Sequence, residues 1–465
     1  MATPKLAGGD GMPLVVATAA REFWSAANFT LALCPSLSEG AVWAIAGDED
    51  IKRTYLPRRV SGEWTGTMNL TEPQSGTDLG GITTHAHEAG DGSWLVSGQK
   101  IFISWGDHDM ADNIVHLVLA RTPDAPAGLG GLSLFIVPKW IPQPDGTLGA
   151  RNAVETVSIE HKLGIHASPT CVLAYDNAIG YLVGQRHYGL MAMFVMMNGA
   201  RQGTGIQALA VADRAYQQAR SYAAERIQGP VLDRPAGTSI SEHPDVRRLL
   251  LSMSSALSAI RALSVQISAW LDLADFLLPV FEGWATETGV QITSDAIQVN
   301  GGTGFIEETG VAQYYRDIRI LSIWEGTTAI QAKDLVGRKV VRDNGALAGR
   351  LFDLIDDDLE LLDKHDNASA HRIAGRIRTA VTIAKVSTAA LLDQAPRDQY
   401  AASVPYLTLL GFLAGGWMHA RIAAAALDAG DSHTEQRSRE ADFYTTHHLS
   451  QAGSLGDIIK NGEIA

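Results

Sequence analysis

Apolar residues recur every three to four positions over the first sixty residues. "LVVATAAREFWSAANFTLAL" (14–33), "SLSEGAVWAIA" (36–46) and "DEDIKRTYL" (48–56) are therefore expected to be helices, the last with acidic residues in its first turn. From residue 64 the period shortens to two. "WTGTMNL", "ITTHAHEA", "SWLVSGQKIFIS", "IVHLVLAR", "LSLFIVPK", "ETVSIEHK" and "TCVLAYD" are short runs rich in β-branched and aromatic residues. Turn clusters such as "AGDGS" and "PDAPAGLGG" separate them. This pattern predicts an antiparallel β-barrel or sandwich over 64–185. From about 187 the helical period returns. It predicts one long helix over 189–226, another from "HPDVRRLLLSM" to about 272, and a third over "FEGWATETGVQITSDAIQVN". Beyond "DNGALAG", the runs "ALAGRLFDLIDDDLELLDK", "ASAHRIAGRIRTAVTIAKVSTAALL" and "YLTLLGFLAGGWMHARIAAAAL" are helical, with a last helix near 435–458. The expected organisation is α+β and multidomain: a short helical domain (1–63), a β-domain (64–185), a four-helix-type bundle (186–340) and an appended helical domain (341–465). It is not a βαβ repeat.

Composition narrows the possible partners. The 465 residues are 46% hydrophobic and 19% charged, as in ordinary globular proteins, and carry a net charge of −14. A chain this acidic is a poor match for nucleic-acid phosphates or anionic membranes. The two cysteines, Cys34 and Cys171, exclude cysteine-based zinc and iron–sulfur sites and suggest a reducing compartment. "MATPKLAGGDGMPLVV" reads as neither a signal nor a transit peptide, so a cytoplasmic location is expected. Arg261, Asp272 and Asp275 interrupt the apolar stretch 249–281, which reads as buried helices rather than a membrane span.

Four stretches carry candidate chemistry. "GGTGF" (301–305) and "GLGG" (128–131) do not complete G-x-G-x-x-G, and neither lies in a βαβ unit. "QVNGGTGF" is either a helix C-cap and loop or a place where backbone can approach a phosphate. "MNLTEPQSGTDLGG" is either a polar turn or a concave set of hydroxyls and N–H groups fit for a polar ligand. In "GQKIFISWG", Phe102 and Trp105 flank Ser104 near the end of a strand, which by itself reads as an aromatic barrel strand. "SIWEGTTAI" sets Glu325 among apolar residues, either near a helix start or as a catalytic base. His85 and His87 share a strand face without a third ligand, so no metal is expected.

In order and rough spacing, "MNLTEPQSGTD", "GQKIFIS", "AERIQG", "QVNGGTGFIEETGVAQYYRDIRI" and "IWEGTTAIQ" resemble the acyl-CoA dehydrogenases over about residues 13–340. The helical tail resembles the extra C-terminal domain of the long bacterial members. The resemblance implies FAD and dehydrogenation of a saturated acyl-CoA to its trans-2-enoyl form, with electrons passed to an electron-transfer flavoprotein or similar acceptor. It also implies a homodimer or larger oligomer. An acyl-CoA oxidase, or a catalytically impaired member acting in assembly, is the alternative. By the same resemblance Met68, Leu70 and Thr71 lie along the flavin ring, with Gly76 and Thr77 in the same cofactor loop. Phe102 lies beside the ring and Ser104 near its N5. Arg226, Gln228, Gln298, Gly301 and Gly302 hold a neighbouring subunit's FAD, and Thr327 and Ala329 contact adenosine. Thr77, Asn198 and Arg201 meet the CoA moiety. Glu325 is the base, in an apolar setting beside Ile323 and Trp324 that would raise its pKa, and Gly326 leaves room for the thioester. Two departures are expected to bear on chain-length range: fewer helices precede "GDGMPLVV" than is usual, and "ISAWLDLADFLL" is short.

Overall fold

The computed structural model describes residues 3, 5, 8–45, 49–143, 145–269, 273–430 and 432–462; the side chains of residues 43, 44, 50, 195 and 198 also lie outside the description. Asp272 is among the residues left out. Contacts gather the chain into two compact units, Met1–Gly203 and Thr204–Ala465.

The first unit opens with α1 (Leu14–Ala27), α2 (Phe29–Ile45) and α3 (Glu49–Ser61). The helix expected over 14–33 breaks at Asn28, because the Asn28 Oδ1 accepts from the Leu31 N–H (3.1 Å) and starts α2 there. α2 then runs through Pro35, where a break was expected. The helical carbonyl that Pro35 leaves without a donor belongs to Leu31, whose side chain is exposed, so water can reach it.

Nine strands follow: β1 (Trp64–Asn69), β2 (His85–Glu88), β3 (Trp94–Ser104), β4 (Asn113–Arg121), β5 (Leu132–Pro138), β6 (Trp140–Pro142), β7 (Leu148–Arg151), β8 (Val154–Ile159) and β9 (Thr170–Leu182). β6 and β7 form a two-stranded ribbon that the sequence pattern did not anticipate. The other seven form one sheet. β4 pairs with β5, β5 with β9, β9 with β3 and β3 with β2, and β2 returns to β4 at His85 and Arg121, so the path closes. Most pairings are antiparallel, but β1 runs parallel to β4 from Trp64–Asn113 to Asn69–Val118. β4 and β5 are buried on both faces, which explains their unbroken apolar runs. Leu117, Leu119, Leu134 and Ile136 pack with Ala41, Ile45, Met193 and Met196. Val118, Ala120, Phe135 and Val137 pack with Val96, Ile103, Leu173 and Tyr175.

The long helix α4 (Gly189–Glu225) crosses the division between the units. The second unit continues with α5 (Pro244–Ala269), α6 (Ala274–Asn300), α7 (Val311–Ile318) and α8 (Thr328–Asp334), which runs into a π-helical segment, Leu335–Val341. The tail holds α9 (Ala346–Asp363), α10 (Ala368–Asp393), α11 (Pro396–Ala401), α12 (Ser403–Ala429), α13 (Thr434–His447) and α14 (Ala452–Asn461). The single last helix expected near 435–458 is thus two. α12 lies against α6: a Cβ at Gly283 would meet Leu407, and one at Gly411 would meet Trp284 at 2.3 Å. α5 and α12 are long and apolar enough to cross a membrane by composition alone. However, 50% and 72% of their apolar stretches are buried within this unit, as in core helices.

Candidate active site

Unit one supplies the "NLTEP" and "GQKIFIS" residues. On β1, Thr67 and Asn69 point inward to a buried polar chain. Tyr175 OH donates to Asn69 Oδ1 (3.0 Å), Asn69 Nδ2 donates to Thr67 Oγ1 (2.8 Å), and Thr67 Oγ1 lies 2.7 Å from His116 Nδ1. Burial drives the His116 pKa down to about 3, so the ring is neutral and can accept from Thr67. Strand alternation turns Met68 and Leu70 the other way, where both are half-buried.

Beyond Leu70 the chain turns, and one ion pair holds the turn. Lys100 and Glu72, both fully buried, lie 2.9 Å apart. Lys100 Nζ also donates to the Leu70 carbonyl (3.0 Å), while Glu72 accepts from the N–H groups of Thr83 (2.8 Å) and Thr84 (3.0 Å). Burial opposes ionisation of Glu72, but Lys100 and these donors prevail and hold it at about 2. Burial lowers Lys100 to about 8 against the attraction of Glu72. Neither residue was a sequence candidate. A signal existed: Lys100 has the strand parity of the inward-facing Trp94 and Val96, where an unpaired cation is not tolerated.

After Lys100 the register between β3 and β9 slips by a bulge that resumes at Ile103. Phe102 sits in this bulge at φ +60°, and Trp105 follows at φ +54°. The left-handed region costs a non-glycine residue about 1–2 kcal/mol, so the surrounding structure must impose it. The result is a Phe102 side chain 60% exposed beside a half-buried Ser104. The Ile101 N–H donates to the Thr71 carbonyl (2.9 Å), which brings Thr71 alongside. Gly76 and Thr77 lie exposed on the loop beyond. Unit one therefore gathers Met68, Leu70, Thr71, Phe102 and Ser104. Arg201, expected near CoA, is only 6% exposed on α4, and the Asn198 side chain lies outside the described residues.

Unit two carries Glu325. A 3₁₀ turn (Arg319–Ser322) ends where the N–H groups of Ile323 and Trp324 both bond the Ile320 carbonyl (2.9 and 3.0 Å). Glu325 then takes φ +54° and Gly326 φ +106°, and Thr327 is the N-cap of α8. Glu325 thus lies two residues before a helix cap and is also strained. The expected enclosure by apolar neighbours is not what the chain builds. Ile323 is 46% exposed, and Glu325 and Trp324 are half-buried. The Trp324 Nε1 is buried with no hydrogen-bond partner among the described residues. The Thr328 Oγ1 donates to Glu287 on α6 (2.6 Å), fixing this loop beside the middle of that helix. Thr327 is half-buried and Ala329 exposed.

The remaining candidates form a separate group. α4 and α6 run in the same direction: a Cβ at Gly205 would strike Phe281, Gly289 packs on Ala208, and the Gln218 side chain donates to the Thr309 carbonyl beyond the end of α6 (2.6 Å). Arg226 and Gln228, just past α4, therefore share an end of the bundle with Gln298, Gly301 and Gly302. All five are exposed, and Arg226 donates to Gln228 Oε1 (3.2 Å). Gly301 is the C-cap of α6 at φ +61°, and a Cβ on either glycine would meet nothing. From Glu287 to Gln298 is eleven helical residues, roughly 17 Å. The Glu325 loop and this open, polar end are therefore distinct patches of one unit.

Each patch by itself has chemistry that part of a dinucleotide could use. In unit two, two side-chain-free glycines leave backbone open to a diphosphate and Arg226 supplies a cation; in unit one, Phe102 offers an exposed aromatic ring with hydroxyls nearby. Among the described residues no cluster of three or more His, Cys, Asp or Glu side chains could hold a metal.

Comparison with known proteins fits these features. Residues 67–178 match the acyl-CoA dehydrogenase middle domain, 187–340 the acyl-CoA dehydrogenase C-terminal domain, and 351–465 the acetyl-CoA dehydrogenase C-terminal-like domain. The chain is 48% identical to 3-methylmercaptopropionyl-CoA dehydrogenase of Ruegeria pomeroyi over 441 residues, 90% of this chain and 75% of that protein. It is 34% identical to the broad-specificity linear acyl-CoA dehydrogenase FadE5 of Mycobacterium tuberculosis, over 97% of this chain and 81% of that one. An acyl-CoA dehydrogenase of Bacillus anthracis, solved in complex with FAD, shares the fold with a TM-score of 0.81 at 21% identity, over 98% of this chain and 80% of that one.

Proposed function

Since the chain belongs to the acyl-CoA dehydrogenase family of FAD-dependent oxidoreductases, we propose that it dehydrogenates a short acyl-CoA between Cα and Cβ. We propose 3-methylmercaptopropionyl-CoA as the substrate and Glu325 as the base. The identity of 48% over 90% of the chain carries the substrate assignment, because it far exceeds that to the linear-chain relative.

Glu325 takes the α-proton. Its strained backbone presents the carboxylate from a loop pinned to helices on both sides, and Gly326 adds no side chain beside it. The Gly326 N–H is the donor for the thioester carbonyl, which makes the α-proton more acidic. Met68, Leu70, Thr71, Phe102 and Ser104 would hold the flavin, with Gly76 and Thr77 lining the loop on the CoA side. Thr327 and Ala329 would meet adenosine. Arg226, Gln228, Gln298, Gly301 and Gly302 would hold the diphosphate of a second copy's cofactor, which makes the working unit a dimer or larger. Their separation from the Glu325 loop along α6 supports that reading. When bound, FAD supplies the two-electron acceptor for the β-hydride, and an electron-transfer flavoprotein is the proposed next acceptor.

The test is anaerobic stopped-flow reduction of the flavin by 3-methylmercaptopropionyl-CoA, with butanoyl- and octanoyl-CoA as competitors. The parent should reduce fastest with the first. Glu325→Gln should keep FAD and acyl-CoA binding and lose at least 10²–10⁴-fold in reduction rate. A variant that reduces within a few-fold of the parent rules Glu325 out as the base. Equal rates with butanoyl-CoA remove the substrate assignment and leave the base assignment standing.

A further inference from the structure

The Glu325–Gly326 turn places two positive-φ residues in succession, and only the second is glycine. A carboxylate on such a turn can point reproducibly only if the peptide planes on either side are fixed. One buried side chain fixes the plane that follows Glu325 and the plane after it. Gln331, on the first turn of α8 and 1% exposed, directs its Nε2 back over the helix start. There it donates to the Glu325 carbonyl (3.2 Å) and to the Gly326 carbonyl (3.4 Å). The contact is close on the other side too, since a Cβ at Gly326 would lie 3.0 Å from the same nitrogen. The Gln331 backbone N–H meanwhile bonds the Thr327 carbonyl (3.1 Å), so the helix and the turn move together.

We propose that Gln331 is a positioning residue, one that sets the direction of the Glu325 carboxylate and of the Gly326 N–H. The proposal rests on Glu325 as the base and deepens that reading. Its physical content lies in the trans peptide. With the Glu325 carbonyl held toward Gln331, the Gly326 N–H of the same peptide must point the opposite way, off the turn. Holding the Gly326 carbonyl fixes the next plane, so both planes flanking the Gly326 Cα are set and the peptide on the C-terminal side of the Glu325 Cα cannot swing and carry the side chain with it. The amide orientation follows from the same contacts: an Oε1 facing two carbonyls would be repelled, so the Nε2 must be the group turned toward them. A single amide nitrogen reaches both carbonyls as donor, which a carboxylate or a thioether cannot do.

The experiment compares three holoenzymes with the parent in anaerobic flavin reduction by 3-methylmercaptopropionyl-CoA, each rate expressed per bound FAD. Gln331→Met keeps length and removes both donors. We expect near-normal FAD content, acyl-CoA affinity within about threefold, and reduction slowed on the order of 10- to 100-fold, the scale of a misplaced catalytic group. Gln331→Glu keeps the shape but sets a carboxylate against two carbonyls. Protonation returns one O–H donor, so its rate relative to the parent should rise several-fold from pH 8 to pH 5.5. A side chain that merely stabilised the fold would lower FAD content or melting temperature and leave the rate per flavin, and its pH profile, unchanged. Gln331→Met within twofold of the parent per flavin overturns the proposal. So does a flat pH ratio for Gln331→Glu, which decides the matter if the Met variant fails to fold. Glu325→Gln is the third variant. If it stays active, the base assignment falls; if it is inactive while Gln331→Met is fast, only the positioning role falls.

Discussion

Lys100 is a single charge on which two segments of the first unit depend. Its ammonium joins β3 to the Leu70 carbonyl and to Glu72 within 2.9–3.0 Å, and neither charge reaches solvent. Replacing Lys100 by Met leaves Glu72 buried and uncompensated, and loss of one partner of such a pair costs about 3–5 kcal/mol. Lys100→Met should therefore lower stability by that amount in denaturant unfolding and weaken FAD retention, because the 68–77 loop loses its tether. Adding Glu72→Gln should recover part of the stability, and a double variant no more stable than the single one would refute the pairing argument. Lys100 could be read from strand parity, whereas the conformations of Phe102 and Glu325 could not. No local preference of Phe or Glu favours φ near +60°; the bulge in β3 opposite β9 and the anchored turn before α8 impose it. Within this chain Ile323 is exposed and Glu325 half-buried, so residue type along "SIWEGTTAI" did not foretell the burial of each side chain.

Elements were legible where one face meets a core along their whole length. The runs of β4 and β5 and the long periodic stretches of α4 and α12 were placed within a few residues, and α6 at its C-terminal end, although it starts seven residues before the expected Phe281. Short or locally ambiguous pieces were not. β6 and β7 are three and four residues with exposed or half-buried faces, so no alternation marks them. The parallel pairing of β1 with β4 depends on chain crossing, which periodicity does not encode. Asn28 and Pro35 exchanged roles because a cap bond outweighed a proline beside an exposed carbonyl. Caps carry measurable energy elsewhere too. Asn367 begins α10 by accepting from the N–H groups of Ser369 (2.9 Å) and Ala370 (3.1 Å). Asn367→Ala should cost about 1 kcal/mol in unfolding free energy without altering the rate of flavin reduction. A stability change below a few tenths would mean that the α10 start is set by packing alone.

On the scale of the molecule, the tail matches a C-terminal domain of its own and packs within one compact unit with the helices from Thr204 onward. Part of that junction depends on protonation. His419 of α12 is fully buried, and its Nε2 donates to the Ser255 carbonyl of α5 (2.9 Å). Its ring lies 4.7 Å from that of Tyr444 on α13, which in turn lies 4.9 Å from His448. His448 reaches the Ser252 carbonyl of α5 at 3.3 Å. Burial is the main cause lowering both histidines to about 4, against a partial opposing pull from those carbonyls. A histidine whose folded pKa lies below its unfolded value near 6.5 stabilises the protein above that value. The contribution is lost as pH falls toward 4, because the unfolded chain binds the proton first. Between pH 6.5 and 5 each histidine should forfeit about 1.5 kcal/mol, some 3 kcal/mol together. Glu72 adds nothing in this window, because its stabilisation is lost only below its ordinary value near 4.5, toward 2. His116 titrates in the same window but belongs to the other unit, so the measurement must be local. Hydrogen exchange on the amides of α12 and α13 should give opening free energies that fall with acidification over this range, and His419→Gln, which keeps a donor for Ser255 and cannot titrate, should remove about half of the fall. Opening energies that stay level from pH 6.5 to 5 in the parent would show that these rings accept protons without disturbing the junction.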